Sequence, residues 1–241
     1  MYLGTIVNAL AALVGGTLGA ALRRRIPERM RDIAMQGIGL VTLVLGMQMA
    51  LGTRNILAVI LSVVAGGWIG EWLGIEGGLE RLGAWAEARF GGAGERGTFA
   101  RAFVTSSLLF CVGPLTILGS LQAGLGGSPT LLYTKSLLDG VSALAIGAAL
   151  GIGVVLSAGT ILVYQGALTL LAKTVQSVMT PAITREFAAT GGVLVLGIGL
   201  TILRVRVVRA ANLLPALLVV VVLTALAPAL AALARSLGLG R

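Results

Sequence analysis

The feature that most constrains this chain is a series of long stretches that contain no charged residue. These stretches recur from one end of the sequence to the other, at 1–22, 33–53, 55–70, 102–134, 140–172, 187–203 and 210–234. The hydrocarbon core of a bilayer is about 30 Å thick and needs about 20 helical residues to cross it. The pattern therefore predicts an all-α integral membrane protein with several crossings.

The composition agrees with a membrane environment. Of 241 residues, 57% are hydrophobic and only 11% are charged, whereas a soluble domain has about 25% charged residues. The mean hydropathy is +1.00. The 36 glycines favour close helix–helix packing within a membrane. These values exclude a soluble globular enzyme and a disordered chain.

The number of crossings follows from the lengths of the stretches. Residues 136–172 contain a single charge, Asp139, and as one helix they would be about 55 Å long, which is too long for one crossing. We therefore divide this region at Ser157-Ala158-Gly159. The sequence then predicts about eight transmembrane helices, at 2–22, 33–52, 55–74, 104–122, 135–156, 159–173, 187–204 and 212–233.

The basic residues predict the orientation of these helices. Twelve of the 18 lysines and arginines lie in the loops after spans one, three and seven, and the other side carries six. Because basic loops stay in the cytoplasm, we expect both termini outside. The predicted location is the inner (cell) membrane of a bacterium.

Short sequence matches in the two halves of the chain predict an internal repeat. Gly4-Thr5-Ile6 recurs as Gly159-Thr160-Ile161, and Asn55-Ile56-Leu57 corresponds to Asn212-Leu213-Leu214. The two copies begin an odd number of spans apart, so they would be inverted three-helix repeats, as in many transporters. Duplication without transport, as in channels or dual-topology scaffolds, is the alternative.

The repeats divide the chain into four predicted regions. These are a first repeat (1–75), a cytoplasmic amphipathic helix with a Gly-rich linker (76–101), a central helix pair (102–156), and a second repeat with the C-terminal tail (157–241). The amphipathic helix would lie on the membrane surface or pack against another subunit. Pro114 predicts a break in the fourth span, within the central pair.

The acidic residues indicate where a functional site would lie. Eight of the nine are in loops or at span ends, and Asp139 alone lies inside a span, four residues after Lys135. Ionisable groups in a membrane typically mark a substrate or ion path; a local ion pair is the alternative. The remaining candidate substrate- and ion-binding residues are polar positions in or beside the spans: Asn8, Ser106, Ser107, Gln122, Ser136, Gln165 and Asn212.

Other chemistries are limited by missing residue types. The chain has no histidine and one cysteine, Cys111, so we expect no metal centre, no cofactor and no enzyme activity. A coupling Na⁺ or H⁺ is expected, because Asp139 with amide and hydroxyl oxygens suits a hard cation, and Asp139 alone suits a proton relay. Nucleic-acid binding is not expected, since the arginines flank apolar segments.

Several motifs resemble a known family, called domain of unknown function 554. They are GTIVNALAALVGG (4–16), MQGIGLVTLVLG (35–46), SSLLFCVGPLTILGSLQAGL (106–125), YTKSLLDGVSA (133–143), YQG (164–166) and NLLPAL (212–217). The resemblance implies a bacterial inner-membrane protein, described in places as a transporter, without an established substrate. Family members commonly carry an acid after the Gln of the third motif, where this chain has Ala123, so a cation site using that acid is not expected.

The function expected from these features is ion-coupled secondary transport of a small solute by a homodimer in the lipid bilayer. An ion channel is one alternative, and it predicts a continuous polar pore. A scaffold or lipid-interacting protein is another. It predicts that Lys135 and Asp139 bond only to each other or to neighbouring helix ends.

Overall fold

The computed structural model describes residues 2–23, 25–90, 97–111 and 114–236, and within these residues the chain is all-α. The helices are α1 (Leu3–Arg23), α2 (Glu28–Ala50), α3 (Ile56–Leu73), α4 (Ile75–Phe90), α5 (Thr98–Cys111), α6 (Pro114–Gly124), α7 (Thr130–Leu150), α8 (Ser157–Leu170), α9 (Ala172–Val178), α10 (Pro181–Ile202) and α11 (Pro215–Ser236). Short 3₁₀ helices, Ile152–Leu156 and Ala210–Leu213, precede α8 and α11.

Six helical segments of the described residues are long and apolar enough to cross a membrane. They are Leu3–Arg23, Glu28–Ala50, Ile56–Leu73, Ile152–Leu170, Pro181–Ile202 and Ala210–Pro228. The pair α5 and α6, bent by 61°, makes a seventh if it forms one span. The membrane helical class is thus confirmed. The count of eight stays a prediction, because α7 has the length but carries Lys135 and Asp139.

The outer surface of the helices is apolar. On α3, Trp68 is 75% exposed and Trp72 is 86% exposed, and many leucines, isoleucines and valines of α1, α2 and α11 are also exposed. A contiguous apolar surface of this kind is unfavourable in water. It is the surface that lipid would cover.

Glycines set the packing of α2 on α10. Gly39 lies against Leu203, and Gly46 lies against Gly192 and Leu196. Residue numbers rise along α2 as they fall along α10, so the two helices are antiparallel. A Cβ atom on Gly46 would lie 2.7 Å from the Leu196 nitrogen, which shows that the backbones approach as closely as in other small-residue membrane interfaces.

The same device pairs α3 with α11. Gly66 lies against Ala216, and Gly70 lies against Asn212 at the start of the last helical segment. The contacts again run in opposite directions along the two helices. Helix α3 is therefore antiparallel to α11, as α2 is to α10.

Helix α1 packs on two partners. Gly4 lies against Leu132 and Gly15 against Gly140, so α1 runs parallel to α7. Gly16 lies against Val154, in the segment that leads into α8. The N-terminal half of α1 meets α8 further along the chain, where Asn8 contacts Gln165, so α1 and α8 are antiparallel.

One predicted boundary is right for the start of a helix and wrong for the position of the turn. The sequence predicts the division between spans five and six at Ser157-Ala158-Gly159, and α8 begins there, but α7 already ends at Leu150 and the 3₁₀ helix Ile152–Leu156 leads into α8. Gly151 between them has φ +98° and ψ −163°, a conformation open essentially to glycine alone. The chain reverses at this glycine, so the sixth helical segment starts earlier than predicted.

Two other predictions concern the middle of the chain. The expected helix in 76–101 is α4, and α6 begins at Pro114 with the bend that this proline predicts. The Gly-rich linker at 91–94 lies outside the described residues.

Candidate functional site

Lys135 and Asp139 form an ion pair in the interior of the protein. They lie one turn apart on α7, and the Lys135 ammonium donates a hydrogen bond to the Asp139 carboxylate. Lys135 is 5% exposed and Asp139 is 7% exposed. The pair that the sequence predicts is therefore present, and it faces the helix bundle.

Two amide side chains extend this pair across neighbouring helices. Asn8 of α1 donates from Nδ2 to Asp139 Oδ2 at 3.0 Å and to Gln165 Oε1 of α8 at 3.0 Å. Asn8 and Gln165 are completely buried. The four residues form one polar chain through three helices, which we call the Asp139 cluster. The scaffold alternative predicts a Lys135–Asp139 pair confined to itself and helix ends, and this arrangement differs from it.

Close packing of α1 on α7 makes the cluster possible. A Cβ atom on Gly15 would overlap the Gly140 carbonyl oxygen, so these two helices meet with no side chain between them at that point. A short asparagine side chain on α1 then reaches a carboxylate on α7. Glycine at both positions is what brings Asn8 within bonding distance of Asp139.

The described structure contains buried polar side-chain atoms that have no hydrogen-bond partner. Two belong to the cluster itself, Asn8 Oδ1 and Gln165 Nε2, and others include the hydroxyls of Thr5, Ser120, Thr169, Thr190 and Thr224. An unpartnered buried polar group costs about 1–3 kcal/mol. Their concentration in this protein is therefore a feature that needs a physical reason.

Sequence reasoning missed the threonines of this set. Thr5 precedes Asn8 by three residues, and Thr169 follows Gln165 by four. Residues at these spacings share a helix face. The spacing was the available signal, but threonine is common in membrane helices and usually bonds to its own backbone.

The predicted serines form hydrogen bonds outside the cluster. Ser106 and Ser136 are buried, and each donates to a backbone carbonyl of its own helix one turn earlier, at 2.7 and 2.6 Å. Ser107 shares a hydrogen bond with Thr160 of α8, at 3.1 Å. The structure does not bond any of these three to Asp139.

Gln122 and Asn212 lie apart from the Asp139 cluster. Gln122 is exposed, near the end of α6. Asn212 donates to Glu71 at 2.8 Å and accepts from the Glu76 backbone nitrogen at 2.7 Å. Asn212 thus links the 3₁₀ helix before α11 to the junction of α3 and α4. The sequence alone did not distinguish this structural role from a role in binding.

Glu76 lies at the same junction, outside the membrane-spanning segments. Its carboxylate accepts a hydrogen bond from the Ala211 backbone nitrogen at 2.9 Å. Burial raises the pKa of Glu76, and neighbouring Glu80 adds to the rise, whereas the backbone hydrogen bonds and Arg209 oppose it. The effect of burial on the pKa of Glu76 is therefore larger than the opposing effect of its hydrogen-bond donors and Arg209.

Glu186 makes a comparable junction near the start of α10. It is 3% exposed and accepts hydrogen bonds from the Thr53 hydroxyl and, at 2.9 Å, from the Arg54 backbone nitrogen. Both donors precede α3. The hydrogen-bonding capacity of this buried carboxylate is therefore used by the loop before α3, which accounts for its position at the end of the span.

A separate polar cavity lies where α1 and α10 end. It has a volume of about 240 Å³. Its charged lining residues are Arg23, Glu28, Arg31, Asp32, Arg101 and Arg204. These residues belong to the basic loops that the sequence predicts to be cytoplasmic, far along α1 from Asn8.

Comparisons with known proteins give a consistent assignment. The family model described as "Protein of unknown function (DUF554)" matches residues 3–225. "Uncharacterized protein YqgA" of Escherichia coli is 33% identical over 228 residues, which are 93% of this chain and 97% of that protein. "Uncharacterized membrane protein YdfK" of Bacillus subtilis is 30% identical over 220 residues, 90% and 93% of the two chains. No solved structure matches the chain.

The family match covers α1 to α10, including the helices that build the Asp139 cluster, and the first half of α11. The described part of the chain is helical, with six segments able to cross a membrane. The resemblance noted in the motifs is confirmed by the family model and by both relatives. The chain is a membrane protein that belongs to the DUF554 family.

Proposed function

We propose that this protein is an ion-coupled secondary transporter of a small solute. The observation that carries the proposal is the Asp139 cluster, in which a buried carboxylate, a buried ammonium and two amides join α7, α1 and α8. Ionisable groups deep within a helix bundle are the usual elements of an ion or substrate path in membrane proteins.

Stability alone gives little reason for such a cluster. Replacing a buried ion pair by apolar residues of similar size is often neutral or stabilising, because removing charges from water costs as much as their attraction returns. The unpartnered Asn8 Oδ1 and Gln165 Nε2 add to that cost. A site that opens to a solute or ion during a transport cycle has a use for these atoms.

The proposed architecture has eight crossings in two inverted three-helix repeats. Helix pairing supports it, since α1, α2 and α3 pack against α8, α10 and α11 respectively, each pair antiparallel. Antiparallel contacts between counterparts are expected when one copy is inverted relative to the other. The Asp139 cluster then lies where α1 and α8, the first helices of the two repeats, meet beside α7.

Reconstitution with a mixture of solutes tests the proposal while the solute is still unidentified. Proteoliposomes carrying an imposed Na⁺ or H⁺ gradient are incubated with a mixture of small metabolites, and the lumen is analysed by mass spectrometry. We expect gradient-dependent accumulation of at least one solute, and its loss in Asp139→Asn.

The matched control is Thr134→Ala, on the same helix, because Thr134 is exposed and bonds only its own backbone at 3.2 Å. It should accumulate solute like the wild type. Solute entry that equilibrates without following either gradient would indicate a channel. No entry for any solute, or full uptake by Asp139→Asn, would contradict the proposal.

A further inference from the structure

We propose that Asp139 and unpartnered oxygens of the neighbouring helices α1, α6 and α8 form a Na⁺ site, and that the Lys135 ammonium is a tethered competitor for it. This inference rests on the proposed function, which it extends by naming the coupling ion and its ligands. The candidate ligands are oxygens of Thr5, Asn8, Ser120, Asp139 and Thr169.

Helical hydroxyls of this protein fall into two groups. Thr17, Thr42, Thr134 and Thr201 donate to a carbonyl of their own helix one turn earlier, at distances from 2.7 to 3.2 Å, whereas some hydroxyls, including those of Thr190 on α10 and Thr224 on α11, have no partner among the described residues. The hydroxyls of Thr5, Ser120 and Thr169 belong to residues that are 0–2% exposed, and they make no such bond. Their lone pairs remain available in a place that water does not reach.

The packing of α1 on α8 places two of these threonines at a similar level of the bundle. The antiparallel helices are joined by the bond between Asn8 and Gln165. Thr5 lies about one turn before Asn8, and Thr169 lies about one turn after Gln165. Because the helices run in opposite directions, both steps lead toward the same end of the bundle, and the two threonines occupy adjacent levels.

Helix α6 adds the third hydroxyl. A Cβ on Gly124 would overlap the Thr169 carbonyl oxygen of α8, and Gly119 lies against Leu132 of α7. Ser120 lies between these two glycines along α6. It therefore belongs to a stretch of α6 that packs against both α7 and α8, two of the three helices of the Asp139 cluster.

The oxygen set suits a monovalent cation. Hydroxyl and amide oxygens with a single carboxylate are hard ligands of low total charge. Within the described residues no group of three or more histidines, cysteines or carboxylates is placed to hold a metal ion. A multivalent ion would lack the negative charge that it requires, whereas Na⁺ is balanced by Asp139 alone.

Lys135 already supplies that balance in this structure. Its ammonium is bonded to the Asp139 carboxylate, so a Na⁺ ion added beside the pair would leave an uncompensated positive charge in a buried site. Entry of Na⁺ thus requires the ammonium to leave Asp139. Lys135 lies in the second turn of α7, and its flexible stem can turn toward that helix end.

Competition between Na⁺ and the Lys135 ammonium for Asp139 predicts a result that a purely structural ion pair would not produce. Removing the competitor should tighten Na⁺ binding, because the binding-competent state no longer has to displace an ammonium. In equilibrium ²²Na⁺ binding to the purified full-length protein, with choline chloride holding the ionic strength constant, we expect Lys135→Met to lower Kd by about tenfold or more. Asp139→Asn should abolish binding.

Further variants test the neutral ligands with the ion pair intact. Thr169→Val and Ser120→Ala should raise the Na⁺ Kd, whereas Thr42→Val, a buried threonine bonded to its own backbone at 2.7 Å on α2, should not. These variants keep the test decisive if Lys135→Met does not fold.

The inference is overturned if the folded wild-type protein binds no Na⁺. It is also overturned if Asp139→Asn binds Na⁺ like the wild type, or if folded Lys135→Met shows no gain in affinity. Proton-driven solute uptake by a protein that binds no Na⁺ would overturn this inference while leaving the proposed transport function intact. Loss of all gradient-driven uptake would instead remove the proposed function.

Discussion

Two interfaces of the molecule have similar close backbone packing but different side-chain chemistry. One is formed by α2 with α10, and the other by α1 with α7 and α8. In the first, glycines such as Gly46 and Gly199 lie against backbone and leucine. In the second, Gly15 meets Gly140 just as closely, yet Asn8, Lys135, Asp139 and Gln165 lie beside the contact. Close packing is thus common to both interfaces, and the charged polar chain is found in one.

The difference separates the requirements of folding from those of function. Helices in a membrane associate through van der Waals packing at small residues, and α2 with α10 shows that this chain can build such an interface without an ion pair. The Asp139 cluster is therefore more than is needed to hold α1 in place. The proposed ion and solute binding would use this additional polarity.

The largest predicted effect comes from breaking the ion pair on one side only. Asp139→Leu leaves a buried Lys135 without a counter-charge, and the free energy of unfolding in detergent should fall by about 3–5 kcal/mol. The control is Lys135→Met/Asp139→Leu, which removes both charges. It should recover most of the loss, and a double variant as unstable as Asp139→Leu would show that the cluster is needed for folding.

The interface between α2 and α10 predicts a smaller effect, which is steric. Gly46→Ala introduces a Cβ 2.7 Å from the Leu196 nitrogen, and overpacking of this kind costs about 1–3 kcal/mol. Gly37→Ala on the same helix is the matched control, because nothing lies within 4 Å of its Cβ position. Thermal melting of the two variants measures the contrast. Equal melting temperatures would mean that α2 and α10 are not held by close backbone approach.

The smallest predicted effect lies at the junction of α3, α4 and α11, outside both interfaces. Burial raises the pKa of Glu76, so the folded state binds this proton more tightly than the unfolded state. The resulting stability is present below the ordinary carboxyl pKa and is lost as pH rises through the raised value.

Glu76→Gln keeps an acceptor for the Ala211 nitrogen and removes the charge. At about pH 4 the variant and the wild type should have the same melting temperature. At neutral pH the variant should melt at a higher temperature, with a free energy of unfolding larger by less than about 0.5 kcal/mol. Melting curves across this range measure the difference. A variant less stable than the wild type at neutral pH would contradict the assigned direction of the shift.

The sequence predicted the membrane class, the Lys135–Asp139 pair and the participation of Asn8 and Gln165, because charges and amides are rare in long apolar helices. It did not separate these amides from Gln122 and Asn212, since the helix face that turns inward depends on packing. The break at Gly151 was misplaced because its positive φ has no signal among so many glycines. Thr5, Ser120 and Thr169 were missed because the sequence alone does not show which helix face turns inward.

The most direct test of the account is gradient-driven uptake by the double variant Lys135→Met/Asp139→Leu in proteoliposomes, with its melting temperature measured in parallel. If the Asp139 cluster serves transport and packing holds the helices, this variant will melt close to the wild type and accumulate no solute. A variant that folds and still accumulates solute like the wild type would contradict the central claim.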